Sequence, residues 1–142
     1  MKAVFIDANI LLDLIDKNRT RHLKSKEVLK KLLLDEYRLG ISEDMFSNIY
    51  YVSKRAKVDN VKLLEFLEFW RSNAEILSFG KDTIGEAIAY CKENLDSDSE
   101  DVMQAMCALK HKFDYILTED LSFTKSFIEN KNLDEIQNIF KY

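Results

Sequence analysis

The stretch Ala3-Val4-Phe5-Ile6-Asp7, followed by Ala8-Asn9-Ile10-Leu11-Leu12, decides how the rest of the chain is read. Four apolar residues without polar alternation suit a strand buried on both faces, and such strands belong to parallel sheets covered by helices. The run stops at an aspartate, as a buried strand does where it emerges at its C-terminal edge. Ile10, Leu11, Leu12, Leu14 and Ile15 predict a turn of helix directly behind it. A second run of the same kind, Tyr115-Ile116-Leu117-Thr118, is broken by Glu119-Asp120.

Between these runs, apolar periodicity predicts a helix over about 22–37, packed through Val28, Leu29, Leu32 and Leu33. Leu39–Ser42 reads as a short strand, after which Ser42 or Asp44 can cap a helix carrying Met45, Phe46, Ile49, Tyr50 and Val52. Another helix is expected from about Asn60 to Ser72, turning Val61, Leu64, Leu67 and Trp70 inward. A strand at Glu75–Phe79 precedes a helix near 82–94 that rests on Ile84, Ala87, Ile88 and Cys91. Ser97 and Glu100 form a capping-box pattern for a helix through Leu109, and helices near 124–129 and 134–141 complete the chain. Strands separated by helical stretches imply an α/β sandwich with a mainly parallel sheet. The 142 residues suit one domain, 1–142, with no proline and no linker-like segment.

Composition narrows the function classes. Lys plus Arg is 21 and Asp plus Glu is 25, a net charge of −4 that argues against wholesale coating of DNA but leaves room for a local basic groove. No stretch approaches a transmembrane span, and Asp7 stands where a secretory signal would carry its apolar core, so a cytoplasmic protein is expected. Cys91 and Cys107, without a CxxC, and His22 and His111, far apart, give no zinc pattern and read as packed thiols and isolated histidines.

In open α/β sheets, ligands bind beyond the C-terminal ends of the strands, where the strand order reverses. Asp7 and Asp120 each follow a buried strand, so both carboxylates belong at that edge. Asp98 and Asp101 open a helix three residues apart, one turn from each other on one face. Asn48 can add an amide oxygen. Singly, each acid reads as a cap or turn residue; their coincidence at one edge carries the functional reading. Converging carboxylates without a basic partner repel each other unless a cation compensates, and an all-oxygen ligand set suits Mg²⁺ or Mn²⁺. Such an ion activates water and stabilises charge on a phosphate, which makes phosphodiester hydrolysis the matching chemistry. Asp13 and Asp16 fit the exposed side of the first helix.

Two basic groups, Lys17 to Lys31 and Lys54, Arg55, Lys57 and Lys62, are expected to flank the acids and hold a nucleic-acid backbone. Tyr50 or Tyr51 can stack on a base, although Tyr50 fits the core better.

Three blocks resemble PIN-domain proteins. Val4-Phe5-Ile6-Asp7-Ala8-Asn9-Ile10-Leu11-Leu12-Asp13 is similar to the opening block with its first acid. Ser97-Asp98-Ser99-Glu100-Asp101-Val102-Met103-Gln104-Ala105 is similar to the central acidic block, in which Asp101 matches the principal metal carboxylate and Asp98 an auxiliary one. Phe113-Asp114-Tyr115-Ile116-Leu117-Thr118-Glu119-Asp120, followed by Phe123, resembles the last strand and its terminal acid, and the resemblance runs on through Ile136 and Phe140. It implies a three-layer α/β fold with a parallel sheet of four or five strands. It also implies Mg²⁺- or Mn²⁺-dependent cleavage of RNA, most often by a VapC-like toxin that forms homodimers and is silenced by a small cognate antitoxin. Metal-binding roles fall on Asp7, Asp101, Asp120 and Asp98, and Thr118 fits a role in orienting a carboxylate or water.

One position departs from the pattern. The family's usual second acid is a glutamate, and Asn48 stands there, as in a subgroup with a similar Ser-Asn-Ile-Tyr-Tyr segment. An amide supplies an oxygen but neither neutralises a cation nor accepts a proton as a carboxylate does. Glu43 or Asp44 can compensate. Three classes therefore stand side by side: a metal-dependent endoribonuclease, a catalytically weak or inactive PIN-like module that binds RNA or protein, and a response-regulator-like domain. The last is weakest, because Asp7 has no adjacent acid and the first base after Asp120 is Lys125.

Overall fold

The structure, a computed structural model, describes residues 2–120 and 127–139. Strands β1 (Ala3–Ile6), β2 (Arg38–Ser42), β3 (Glu75–Leu77), β4 (Tyr115–Leu117) and β5 (Asn130–Lys131) form one parallel sheet in the order β3-β2-β1-β4-β5. The helices are α1 (Ala8–Ile15), α2 (His22–Leu34), α3 (Asp44–Arg55), α4 (Asn60–Asn73), α5 (Gly80–Glu93), α6 (Ser99–Lys110) and α7 (Leu133–Ile139). α1 to α4 pack on one another and α5 packs on α6, giving the three-layer α/β sandwich that the alternating pattern implied.

The chain moves outward from β1 through β2 to β3, then returns across both to lay β4 on the other side of β1. The order therefore reverses between β1 and β4, which places the expected ligand crevice above those two strands. Both are buried throughout their apolar residues, with Val4, Phe5, Ile6, Ile116 and Leu117 at the centre of the core. Parallel pairing sets Ile6 opposite Leu117, and Asp7 N–H donates to the Leu117 carbonyl at 3.0 Å.

β5 has no sequence signature, since Asn130-Lys131 is polar. It forms because β4 needs a backbone partner on its outer side: the Ile116 and Thr118 N–H groups donate to Glu129 and Lys131 carbonyls at 3.0 and 2.9 Å. The helix expected near 124–129 falls largely outside the described residues, as do Phe123 and Phe140.

Several expected details shift. α2 stops at Leu34 because Glu36 takes a left-handed backbone (φ 58°), and its N–H and that of Tyr37 close back onto Leu33 and Leu32 carbonyls. Neither Ser42 nor Asp44 caps α3. Ser42 is buried in β2, and Glu43 holds the N-cap position while its carboxylate accepts from Ser78 Oγ at 2.7 Å. On α4 the inward stripe is Leu63, Phe66, Leu67 and Trp70, leaving Val61 and Leu64 exposed. On α5, Thr83 and Ala87 go inward while Ile84 and Ile88 are exposed. Leu67, Trp70 and Ala87 thus turn inward as expected, while the rest of each buried face is shifted by one position, onto Leu63 in α4 and onto the polar Thr83 in α5. Tyr50 is 42% exposed rather than in the core.

Gly40, in β2, shows how tightly the sheet is covered. A Cβ there would run into the Phe113 ring, with Cε1 only 2.6 Å away, and that ring is fixed edge-on to Phe5 and beneath the Arg38 guanidinium. Gly40→Ala should therefore cost about 2 kcal/mol through overpacking, read as a lowered urea midpoint with unchanged m-value.

Candidate acidic site

Asp7 is placed by three constraints at once. It follows β1, it caps α1 by accepting the Ala8 N–H on Oδ1 at 2.8 Å, and its Oδ2 accepts from the Thr118 hydroxyl at 3.0 Å. Thr118 is fully buried, and its Oγ1 also accepts the Asp120 N–H at 3.0 Å. One hydroxyl thus ties the ends of β1 and β4 together and fixes the first acid relative to the last. Burial pushes the Asp7 carboxyl above its ordinary range, opposed by the Thr118 and Ala8 hydrogen bonds and reinforced by Asp120.

Asp98 is the N-cap of α6, its Oδ1 accepting the Glu100 and Asp101 N–H groups at 2.9 and 3.1 Å. It takes the place expected of Ser97 because its carboxylate suits the positive helix end better. Asp101 lies in the first turn of that helix. Partial burial, then the charges of Asp98, Asp7, Asp120 and Glu100, push its carboxyl up to about 6. Asp7, Asp98, Asp101 and Asp120 therefore share one electrostatic field, although they come from three separate parts of the chain. Glu100, read from the sequence only as half of a capping box, joins it. Its carboxyl is raised by burial, then by Asp44, Asp98 and Asp7. The signal was available: it precedes Asp101 in a first turn already rich in acid.

The field is not a closed cage. Among the described residues, no three His, Cys, Asp or Glu side chains are grouped so as to hold a metal ion. Both Asp7 oxygens and one of Asp98 already accept hydrogen bonds. The donor set is all oxygen and unneutralised, which fits a hydrated hard cation reached partly through water. It does not fit a dry site with several direct ligands.

Asn48 is exposed on α3, and its amide makes no hydrogen bond among the described residues. It lies one turn beyond Asp44 on the same helical face, and Asp44 is close enough to act on Glu100. Glu43, bound to Ser78, is turned to other work and does not stand in for a missing acid. Asp13 corrects the sequence reading: it is 2% exposed, held by Arg19 Nε at 2.7 Å. Glu119 is structural too, accepting the Leu133 N–H at 3.2 Å with Arg21 Nε 3.7 Å away.

Of the basic groups expected to flank the acids, Arg21 reaches that edge, its Nε 3.7 Å from Glu119, while others gather elsewhere. Lys17 and His22 meet Lys57 and Lys62 around a cavity of about 460 Å³ at the C-terminal ends of α1 and α3. That is one helix length, about 12 Å along α1, from Asp7.

The raised Asp101 carboxyl has a measurable consequence. Between the ordinary aspartate range near 4 and about 6, the folded state holds a proton that the unfolded chain has lost. Stability contributed by this group is thus present at low pH and lost as pH rises through about 6. In EDTA, the stability difference between wild type and Asp101→Asn should move against wild type by about 1 kcal/mol from pH 4.5 to 7, after solvent screening. Urea titrations of both proteins at each pH check this.

A PIN-domain family profile matches residues 4–126. Ribonuclease VapC1 of Aquifex aeolicus (strain VF5) is 32% identical over 133 residues, covering 93% of this chain and 91% of that protein. Among solved structures, Mycobacterium tuberculosis VapC20, described as a sarcin-ricin loop cleaving toxin, superposes with TM-score 0.70 at 13% identity, over 89% of this chain and 97% of that one. A DNA-bound VapBC from Salmonella typhimurium gives TM-score 0.68 at 19% identity, over 94% and 99%. These structural likenesses concern the fold. No helix among the described residues is long and apolar enough to cross a membrane.

Proposed function

Because this chain belongs to the PIN-domain family, in its VapC-type toxin branch, we propose that it is a toxin-class module that binds RNA and a small cognate antitoxin and hydrolyses RNA only weakly. The observation that carries this reading is the combination at the acidic edge: acids that share a field without, among the described residues, forming a three-ligand group, and an uncharged Asn48 one turn beyond Asp44 where the family pattern has a glutamate. The antitoxin is supported by the DNA-bound VapBC and the other toxin–antitoxin assemblies this fold resembles. Pairing into a homodimer belongs to the same proposal.

Mg²⁺ or Mn²⁺, held by Asp7, Asp101 and Asp120 partly through water, with Asp98 contributing only through water, would supply an activated water and neutralise charge on the phosphate. The chain's own part is positional. Thr118 holds Asp7 and the Asp120 backbone in one arrangement, and the α6 N-terminus presents Asp98 and Asp101 to it. Asn48 adds an oxygen but no charge.

A second reading, a fully active metal-dependent endoribonuclease, is favoured by one feature: Asp101 is pushed up to about 6 by neighbours that a cation would satisfy. One experiment separates the two. A pool of structured RNAs is incubated with wild type and Asp101→Asn in Mg²⁺, Mn²⁺ or EDTA, and both binding and cleavage are followed. The proposal expects RNA binding in EDTA and slow, Mn²⁺-favoured cleavage that Asp101→Asn removes. Multiple turnovers per minute in Mg²⁺ would favour the second reading, and absence of RNA binding would end the proposal.

A further inference from the structure

The outward face of α3 carries Asp44, Asn48, Tyr51 and Arg55 at successive turns, since positions four, seven and eleven residues apart lie on one side of a helix. The face begins at the acidic edge, where Asp44 acts on Glu100, and ends about 18 Å away along the axis. Tyr51 is 63% exposed, and the Arg55 guanidinium lies 5.7 Å from its ring centroid. A large aromatic ring held in the open beside a cation has the chemistry of a stacking shelf for a base.

Directly beyond Arg55 is the cavity of about 460 Å³ into which Lys17, Lys57 and Lys62 are gathered. Among the described residues none of these three ammonium groups makes an ion pair. The two acids in its wall are engaged locally: Asp59 accepts the Lys62 N–H at 3.1 Å as the cap of α4, and Asp16 accepts the Asn18 N–H at 3.0 Å. Three ammonium groups against two carboxylates, with the Arg55 guanidinium just before the cavity along the chain, leave this concave site net positive, which suits the phosphates of a strand.

We propose that this face of α3 and the cavity at its end form a second seat for single-stranded RNA, with a base stacked on Tyr51 and the adjoining phosphates held by Arg55 and the cavity lysines. It rests on the reading that this chain binds RNA, and it gives a role to the three lysines that gather one helix length from the acids. A strand lying along α3 is held at its far end while its phosphate reaches the carboxylates at the near end.

The test measures binding of a fluorescently labelled mixed-sequence single-stranded RNA in EDTA, across a range of salt. Lys17→Ala/Lys57→Ala/Lys62→Ala should weaken binding at least tenfold at low salt and lower the salt slope by about 2. Tyr51→Ala should weaken it roughly tenfold, and Tyr51→Phe should restore it. Melting curves report that each variant is folded. Wild-type affinity and slope in the triple variant, with wild type binding RNA well, overturn this seat and leave the functional reading standing. Failure of wild type to bind RNA overturns both. Tighter binding to poly-glutamate than to RNA, lost in the same triple variant, assigns the cavity to an acidic protein partner and also overturns the seat.

Discussion

Asp7→Asn should fold normally, lose the stabilisation that Mn²⁺ gives the wild type, and cleave RNA at least about 100-fold more slowly. The fold survives because an asparagine keeps one side-chain oxygen and can still cap α1 at Ala8 N–H, while Thr118 keeps its own bond to the Asp120 backbone. Burial disfavours the charged Asp7 carboxylate, so removing that charge costs the metal-free protein little and relieves a penalty present at pH 7. The cation site loses its most buried negative group. At a Mn²⁺ concentration 100 times its dissociation constant, the wild type should gain about 2.7 kcal/mol and the variant close to none. Thermal melts across a Mn²⁺ titration read the binding loss independently of cleavage. A variant that melts later with Mn²⁺ to the same extent as wild type would remove Asp7 from the site.

How far this arrangement was legible in the sequence depends on the kind of signal. Val4–Ile6 and Tyr115–Leu117 were readable because a fully buried parallel strand has no polar face to confuse with a loop. The two aspartates that follow were readable for the same reason: an acid cannot continue a buried strand, so each marks an edge. That Asp7 and Asp120 meet through one threonine hydroxyl is tertiary and left only a hint in Thr118's polarity. Asp13 misled, since its spacing fits an exposed helical face. Its burial depends on Arg19, brought back by the loop after α1. On α5 the buried face runs through the polar Thr83 with Ala87, which an apolar pattern does not mark, and on α4 the phase was ambiguous because Val61, Leu63 and Leu64 offer two apolar stripes. Which one faces the core depends on where the neighbouring helix sits, and local periodicity does not contain that information. The basic segments were visible as charge but not as place, because their position depends on how α1 and α3 end.

Asn48→Glu should move the chemistry in the opposite direction from Asp7→Asn, and it tests whether the uncharged position 48 sets the proposed weak activity. Asn48 is exposed, one turn from Asp44 on the face that leads from the acidic edge, so a longer glutamate has room and disturbs no packing. At that place an added negative charge meets the field that already raises Asp101 and Glu100. Without metal the change is unfavourable, and the Asp101 carboxyl should rise further. With a divalent cation the same charge becomes attractive; at a few ångströms and a surface-like effective dielectric the gain is on the order of 1–3 kcal/mol. Mn²⁺ affinity should therefore increase roughly tenfold or more, and cleavage by about 10- to 100-fold. The preference for Mn²⁺ over Mg²⁺ proposed for cleavage by the wild type should also narrow as the site becomes more strongly acidic. Melting temperatures in EDTA and in Mn²⁺, measured with cleavage rates, give the expected crossing: lower stability than wild type without the ion, higher with it. If the variant gains neither affinity nor rate, position 48 lies off the ion's path, and Asn48 cannot account for the proposed weak activity.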